Sequence, residues 1–246
     1  MLTRDLKPEL MDDPAIPKDV HAKALKGLTR LNAVSGVRGA MYRRLRRIAM
    51  TKPGRRLRLI DVASGAGDLP IDWARRAKRD SIDLQITTID ISHTAVEIQL
   101  ENAKRAGVTI NAIQGDCLHD ALPSGFDMAT CSLFVHHLDN HEVFCLLQSM
   151  QAASTGAIMV CDLYRSRANL AFISIAAQMF SRSPIVHHDA SLSVRSAYTC
   201  DEFKRIAEEA LARPVEVKML FPSRFIMTLR EEVVLETSAD PAVAFA

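Results

Sequence analysis

Short apolar runs alternate with amphipathic stretches from Leu57 to Leu229, and the alternation is regular enough to name elements. Leu57, Leu59, Ile60 and Val62 crowd into one run, as in a strand covered on both faces. Gly65 and Gly67 then break the pattern, and Leu69 to Lys78 repeats with helical spacing, with Asp68 at the N-cap position and Pro70 tolerated in the first turn. Leu84 to Ile91 predicts a second strand, Ser92 to Ala106 a helix capped by Ser92 and stopped by Gly107, and Val108 to Gln114 a third strand. Phe126 to Phe134 predicts the fourth strand, Asp139 to Ala153 a helix, and Gly156 to Asp162 the fifth strand. Thr199 followed by Glu202 is a capping box opening a helix to Leu211. Pro214 to Phe221 and Arg224 to Leu229, parted by Pro222 and Ser223, predict a closing hairpin. Strands alternating with helices call for an α/β fold with a largely parallel sheet.

Two regions fall outside this repeat. Residues 1–52 predict a helical cap, with helices at His21 to Leu31 and Gly39 to Met50. Residues 53–232 form the main domain, interrupted at 164–198 by a connection much longer than the median of about 4 to 6 residues. Residues 233–246 are a tail. Within the long connection, Leu170 to Phe180 is an apolar helix whose Phe172 and Met179 either line an acceptor pocket or pack on the core.

Composition narrows the class of protein. With 246 residues and 48% hydrophobic positions the chain can bury a substantial core, and a formal net charge of +2 gives little support to an obligatory nucleic-acid partner. No signal segment and no run approaching the roughly 20 apolar residues of a membrane span is visible. Five cysteines without a Cys-x-x-Cys pair fit free thiols, and the expected location is cytoplasmic. Arg43, Arg44, Arg46 and Arg47, continued by Lys52, Arg55, Arg56 and Arg58, raise a rival reading as an RNA-binding face; Leu45 and Ile48 among them favour a solvated helix face instead.

The chemistry of the first glycine turn decides which ligand it suits. A dinucleotide fold places a third glycine where this chain has Pro70. Asp61 and Asp68 flank the turn, and two carboxylates oppose a pyrophosphate but attract a ligand bearing an ammonium and a sulfonium.

Asp61-Val-Ala-Ser-Gly-Ala-Gly67 resembles the first motif of the class I S-adenosylmethionine-dependent methyltransferases, with Ala63 in place of the motif's first glycine. The resemblance spans residues 57–230. It implies a doubly wound, seven-stranded, mostly parallel sheet with an antiparallel last strand, a helical N-terminal cap and a helical insertion after the fifth strand. It implies S-adenosylmethionine as cofactor, held by Asp61, Ala63, Ser64, Gly65, Gly67 and Asp68, by Asp90 and Ile91 at the ribose, by Asp116 and Cys117 at the adenine, and by Ser132 and Leu133. The loop Val135 to Asn140 then sits where the methyl acceptor meets the cofactor. The N-terminal pattern and His187 to Arg195 are similar to bacterial methyltransferases associated with polyketides and quinones, which implies a small aromatic or polyketide-like acceptor methylated at a hydroxyl.

Two histidines are candidates for the general base, His137 after the fourth strand and His188 on the insertion, and Arg195 and Tyr198 are candidates to hold the acceptor. No metal is expected, because adjacent histidines chelate poorly. The remaining alternatives are RNA methylation and a non-catalytic cofactor-binding protein, and a homodimer stays open.

Overall fold

Leu59 and Ile60 lie side by side in the sequence and face opposite layers, Leu59 into one buried cluster and Ile60 into the other. They belong to β1 (Leu57–Val62), whose burial on both faces makes it a central strand. The computed structural model describes residues 2–10, 16–17, 20, 23, 25, 27, 36–51, 53–180 and 184–229.

With β1, the strands β2 (Leu84–Asp90), β3 (Asn111–Gln114), β4 (Phe126–Ser132), β5 (Ser154–Leu163), β6 (Glu216–Leu220) and β7 (Arg224–Leu229) form one seven-stranded sheet in the order β3-β2-β1-β4-β5-β7-β6. Strands β1 to β5 pair in parallel, and β7 runs antiparallel to both β5 and β6. The reversal at β7 is the antiparallel closing strand that the hairpin pattern predicts.

On one face α1 (Val37–Ala49) and α2 (Asp68–Arg79) pack Met41, Leu45, Leu69 and Trp73 against Leu59, Ile86, Met128 and Met159. On the other, α4 (Asn140–Ala153) and α7 (Cys200–Leu211) pack Leu146, Leu147, Phe203 and Ala207 against Ile60, Ala129, Val160 and Phe225. Between them in sequence lie α3 (His93–Ala106), α5 (Arg167–Phe180) and α6 (Pro184–Ser196). The last two are the long connection after β5. Helix α1 shares its buried cluster with β1, so it is built into the body of the domain.

The structure shifts several predicted boundaries. Gly67, at φ 71°, is the N-cap of α2, and Asp68 is its first helical residue. Strand β4 ends at Ser132, because Leu133 turns to φ 57° and Val135–His137 forms a 3₁₀ turn; the apolar Leu133 and Phe134 imitate a strand that the backbone has already left. The predicted caps at Ser92 and Thr199 are present, each accepting from a backbone amide in the first turn, and Asp139, read as a first helical residue, is itself a cap. Most of the predicted helix His21–Leu31, and all of the tail 233–246, lie outside the described residues.

Candidate active site

The glycine turn after β1 is held from three sides. Gly65 and Gly67 have φ of 54° and 71°, left-handed values that side chains resist. A Cβ on Gly67 would lie 3.0 Å from Gln99 Cγ and 3.2 Å from Ile71 Cδ1, so α2 and α3 close on the turn only because that atom is missing. Gly65 donates its amide to Asp90 Oδ2 at 2.7 Å, and Gln99 Nε2 donates to Gly65 O at 2.8 Å. Ala63 also lies in the left-handed region, at φ 52°. Its departure from glycine therefore strains the backbone as well as adding a methyl.

Beside the turn, at the carboxyl ends of β1, β4 and β5, lies a cavity of about 180 Å³. Asp61, Ala63, Ser64, Gly65, Asp68, Ser132 and Leu133 line it, as do Leu163, Ile173, Val186 and Ala190. Asp61 accepts from Thr130 Oγ1 at 2.6 Å and from Ser64 Oγ at 2.8 Å. Burial pushes its carboxyl up to about 7, with Asp68 and Asp90 adding to the effect and the two hydroxyl donors opposing it. Asp68 pairs with Arg38 at 3.1 Å. A fully buried guanidinium, Arg224, brings positive charge to the same wall.

The histidine turn Val135–His137 is built from β5. Asp162, near the carboxyl end of that strand, takes the amides of Phe134 at 3.1 Å and His136 at 3.2 Å on one oxygen. Its other oxygen meets His136 Nδ1 at 2.7 Å. Burial works against a charged His136, yet Asp162 and Glu9 together raise its pKa to about 10. The same charge holds Asp162 below the usual carboxylate range in spite of burial. His137 lines the cavity with its ring centroid 4.2 Å from that of His136.

Residues 2–10 cross this site as a strap. Arg4 Nη2 donates to Leu138 O and Arg4 Nε to Ser196 O, both at 2.6 Å, while its guanidinium stacks 3.8 Å from the Tyr198 ring centre. Leu10 donates its amide to Asp189 Oδ1 at 3.0 Å. Between these anchors Glu9 enters the cavity, accepting from Ser193 Oγ and standing 3.5 Å from His136 Nε2.

Several expected site residues do not line this cavity. His188 is exposed, its side chain 56% accessible, and its neighbour Asp189 is the residue that faces the cavity, because α6 turns consecutive side chains about 100° apart. Arg195 is exposed on the same helix. Tyr198 is buried and donates to Leu138 O at 3.0 Å, so it braces the histidine turn from behind. Phe172 and Met179 are 47% and 72% exposed on the outer side of α5, and Ile173 points inward instead. Ile91 is exposed, Asp116 pairs with His119 at 2.9 Å, and Cys117 packs in the core. Ser132 lines the cavity and donates to Met41 Sδ at 3.3 Å.

Glu9, Asp162 and Arg224 were not legible as site residues. Asp162 carries the one signal available: like Asp61 and Asp90, it is an acidic residue near the end of a buried strand. Glu9 has no local pattern at all, since a strap without regular structure places it.

Residues 59–155 match the family described as methyltransferase domain. The match runs from β1 through α4 to the first residues of β5. Solved structures share the fold around it. One is an O-methyltransferase family 2 protein from Planctomyces limnophilus in complex with apigenin, 17% identical at a TM-score of 0.59 over 89% of this chain and 62% of that one. Another is magnesium protoporphyrin IX methyltransferase from Synechocystis with bound SAH, 13% identical at 0.56 over 89% and 90%. A third is human N-acetylserotonin methyltransferase in complex with SAM, 16% identical at 0.51 over 87% and 53%. The chain spans about half the length of several structures it matches, 57%, 49% and 53% of three of them. No curated protein sequence matches it at a significant level. Among the described residues, no helix is long and apolar enough to cross a membrane.

Proposed function

We propose that the chain transfers a methyl group from S-adenosylmethionine to a hydroxyl of a small, flat acceptor such as an aromatic, polyketide or quinone-like molecule. The observation that carries this is a carboxylate-lined cavity beside a left-handed glycine turn inside a methyltransferase domain. The residues present fit the cofactor. Asp61 and Asp68 suit an ammonium and a sulfonium, and Arg224 suits the methionine carboxylate. Asp90, fixed against the Gly65 amide, stands for the ribose hydroxyls, and Asp116 for the adenine amino group.

When bound, the cofactor supplies a methyl already activated by its sulfonium. What this chain adds is position and a proton acceptor. Leu133, Leu163, Ile173 and Val186 form the apolar wall against which a flat ring lies. His137 takes the acceptor's hydroxyl proton, while Asp162 holds the turn that carries it. RNA fits less well, because three arginines of the basic run are already paired: Arg46 with Asp80, Arg55 with Asp127 and Arg56 with Asp83.

Incubating the protein with methyl-labelled cofactor and a panel of phenols and hydroxylated quinones tests the reading. Label should enter at least one small acceptor and not RNA, and His137→Gln should slow turnover by about 10²-fold or more with cofactor affinity intact. Label found only in RNA, or unchanged turnover in the variant, contradicts it.

A further inference from the structure

Outside the cofactor residues, the described residues hold one cluster with the donor chemistry of a transition-metal site. A carboxylate oxygen of Glu9 and one nitrogen each of His136 and His137 lie within 4.8 Å of one another, and all three residues line the cavity. Two adjacent histidines alone make a poor chelate. The fold changes that by bringing Glu9 from a strap more than a hundred residues away.

Two features beyond proximity point to a metal. Asp162 engages His136 Nδ1 at 2.7 Å, which turns Nε2 toward Glu9; a carboxylate behind a histidine in this way fixes the ring for a metal on its other nitrogen. The 3.5 Å between His136 Nε2 and Glu9 Oε1 is also close to the spacing of two donors each roughly 2.1 Å from one zinc ion.

We propose that Glu9, His136 and His137 bind one divalent transition-metal ion of the zinc class, with Asp162 orienting His136. Two imidazole nitrogens and one carboxylate form the ligand set, and solvent or the acceptor's oxygen completes it. Any proton on a ligating nitrogen leaves to solvent as the metal binds. Occupancy also engages His137, so the ion acts as a brake on methyl transfer; this consequence, unlike the binding itself, rests on the function proposed above.

The test is titration of the chelator-treated protein with zinc chloride, followed by calorimetry, and with cobalt(II) chloride, followed by its visible absorption, without cofactor or acceptor. The expected result is one saturable site per chain. His137→Gln and Glu9→Gln should each weaken it by about 10-fold or more, and Asp162→Asn by about 10- to 100-fold. His188→Ala, altered outside the cavity, should bind as the native protein does. Circular dichroism shows that each variant folds. Absence of a saturable site in the native protein, or affinity undiminished in both His137→Gln and Glu9→Gln, overturns the proposal while leaving methyl transfer to be judged by its own assay.

Discussion

Asp162 holds His136 by the ring nitrogen at 2.7 Å and by the backbone amide at 3.2 Å, so one carboxylate on β5 fixes both the side chain and the turn that carries it. Removing one partner of a buried ion pair leaves the other charge uncompensated. Asp162→Ala is therefore expected to destabilise the fold by about 3 kcal/mol or more, measured by denaturant unfolding. A loss below about 1 kcal/mol would mean that the turn is held by its own packing.

Ala63 stands at φ 52°, where the related motif has glycine. Replacing it relieves left-handed strain, so Ala63→Gly should stabilise the protein by about 1 kcal/mol and raise its melting temperature by about 2 to 4 °C. A lower melting temperature would show that the Ala63 methyl contributes more by packing than it costs in backbone strain.

Asp61 gives the cofactor site a pH dependence. Burial raises its folded pKa to about 7 from an ordinary value near 3.8, so between those values the folded chain binds the extra proton and this group's contribution to stability falls as pH rises. A ligand ammonium facing Asp61 favours the ionised form. Affinity for S-adenosylhomocysteine should therefore tighten from about pH 6 to about pH 8, and Asp61→Asn should bind more weakly and lose that dependence. Calorimetry across this range decides, and a flat native profile would remove Asp61 from the ligand's surroundings.

The strap predicts a split between two substitutions near Tyr198. Arg4→Ala breaks two 2.6 Å hydrogen bonds and the stack on the ring, so Glu9 loses its anchor and the KM for the acceptor should rise, with about 2 kcal/mol lost from stability. Tyr198→Phe removes the donation to Leu138 O and should cost about 1 kcal/mol, leaving KM unchanged. A changed KM in the second variant alone would restore Tyr198 as an acceptor contact.

The parts of the fold that were legible are those written in local pattern. The apolar run of β1, the capping pair at Thr199 and the hairpin around Pro222 each fix their own geometry within a few residues. The glycine turn was legible for the same reason. The acceptor side was not, because helical phase decides it: on α5 Ile173 faces in and Phe172 out, and on α6 Asp189 faces in and His188 out. One step along a helix rotates a side chain by about 100°, a difference that composition cannot resolve. Glu9 lay further from reach still, since its place depends on Arg4 and Leu10 finding partners on α6 and the histidine turn.

On the function proposed above, the cavity beside Gly65 and Gly67 receives an adenosyl thioether rather than a phosphorylated dinucleotide. Isothermal titration with S-adenosylhomocysteine and with NAD tests it most directly. The expected result is saturable one-to-one binding of S-adenosylhomocysteine, weakened by about 1 to 3 kcal/mol in Asp90→Ala, and no binding of NAD. Saturable binding of NAD with none of S-adenosylhomocysteine would contradict it.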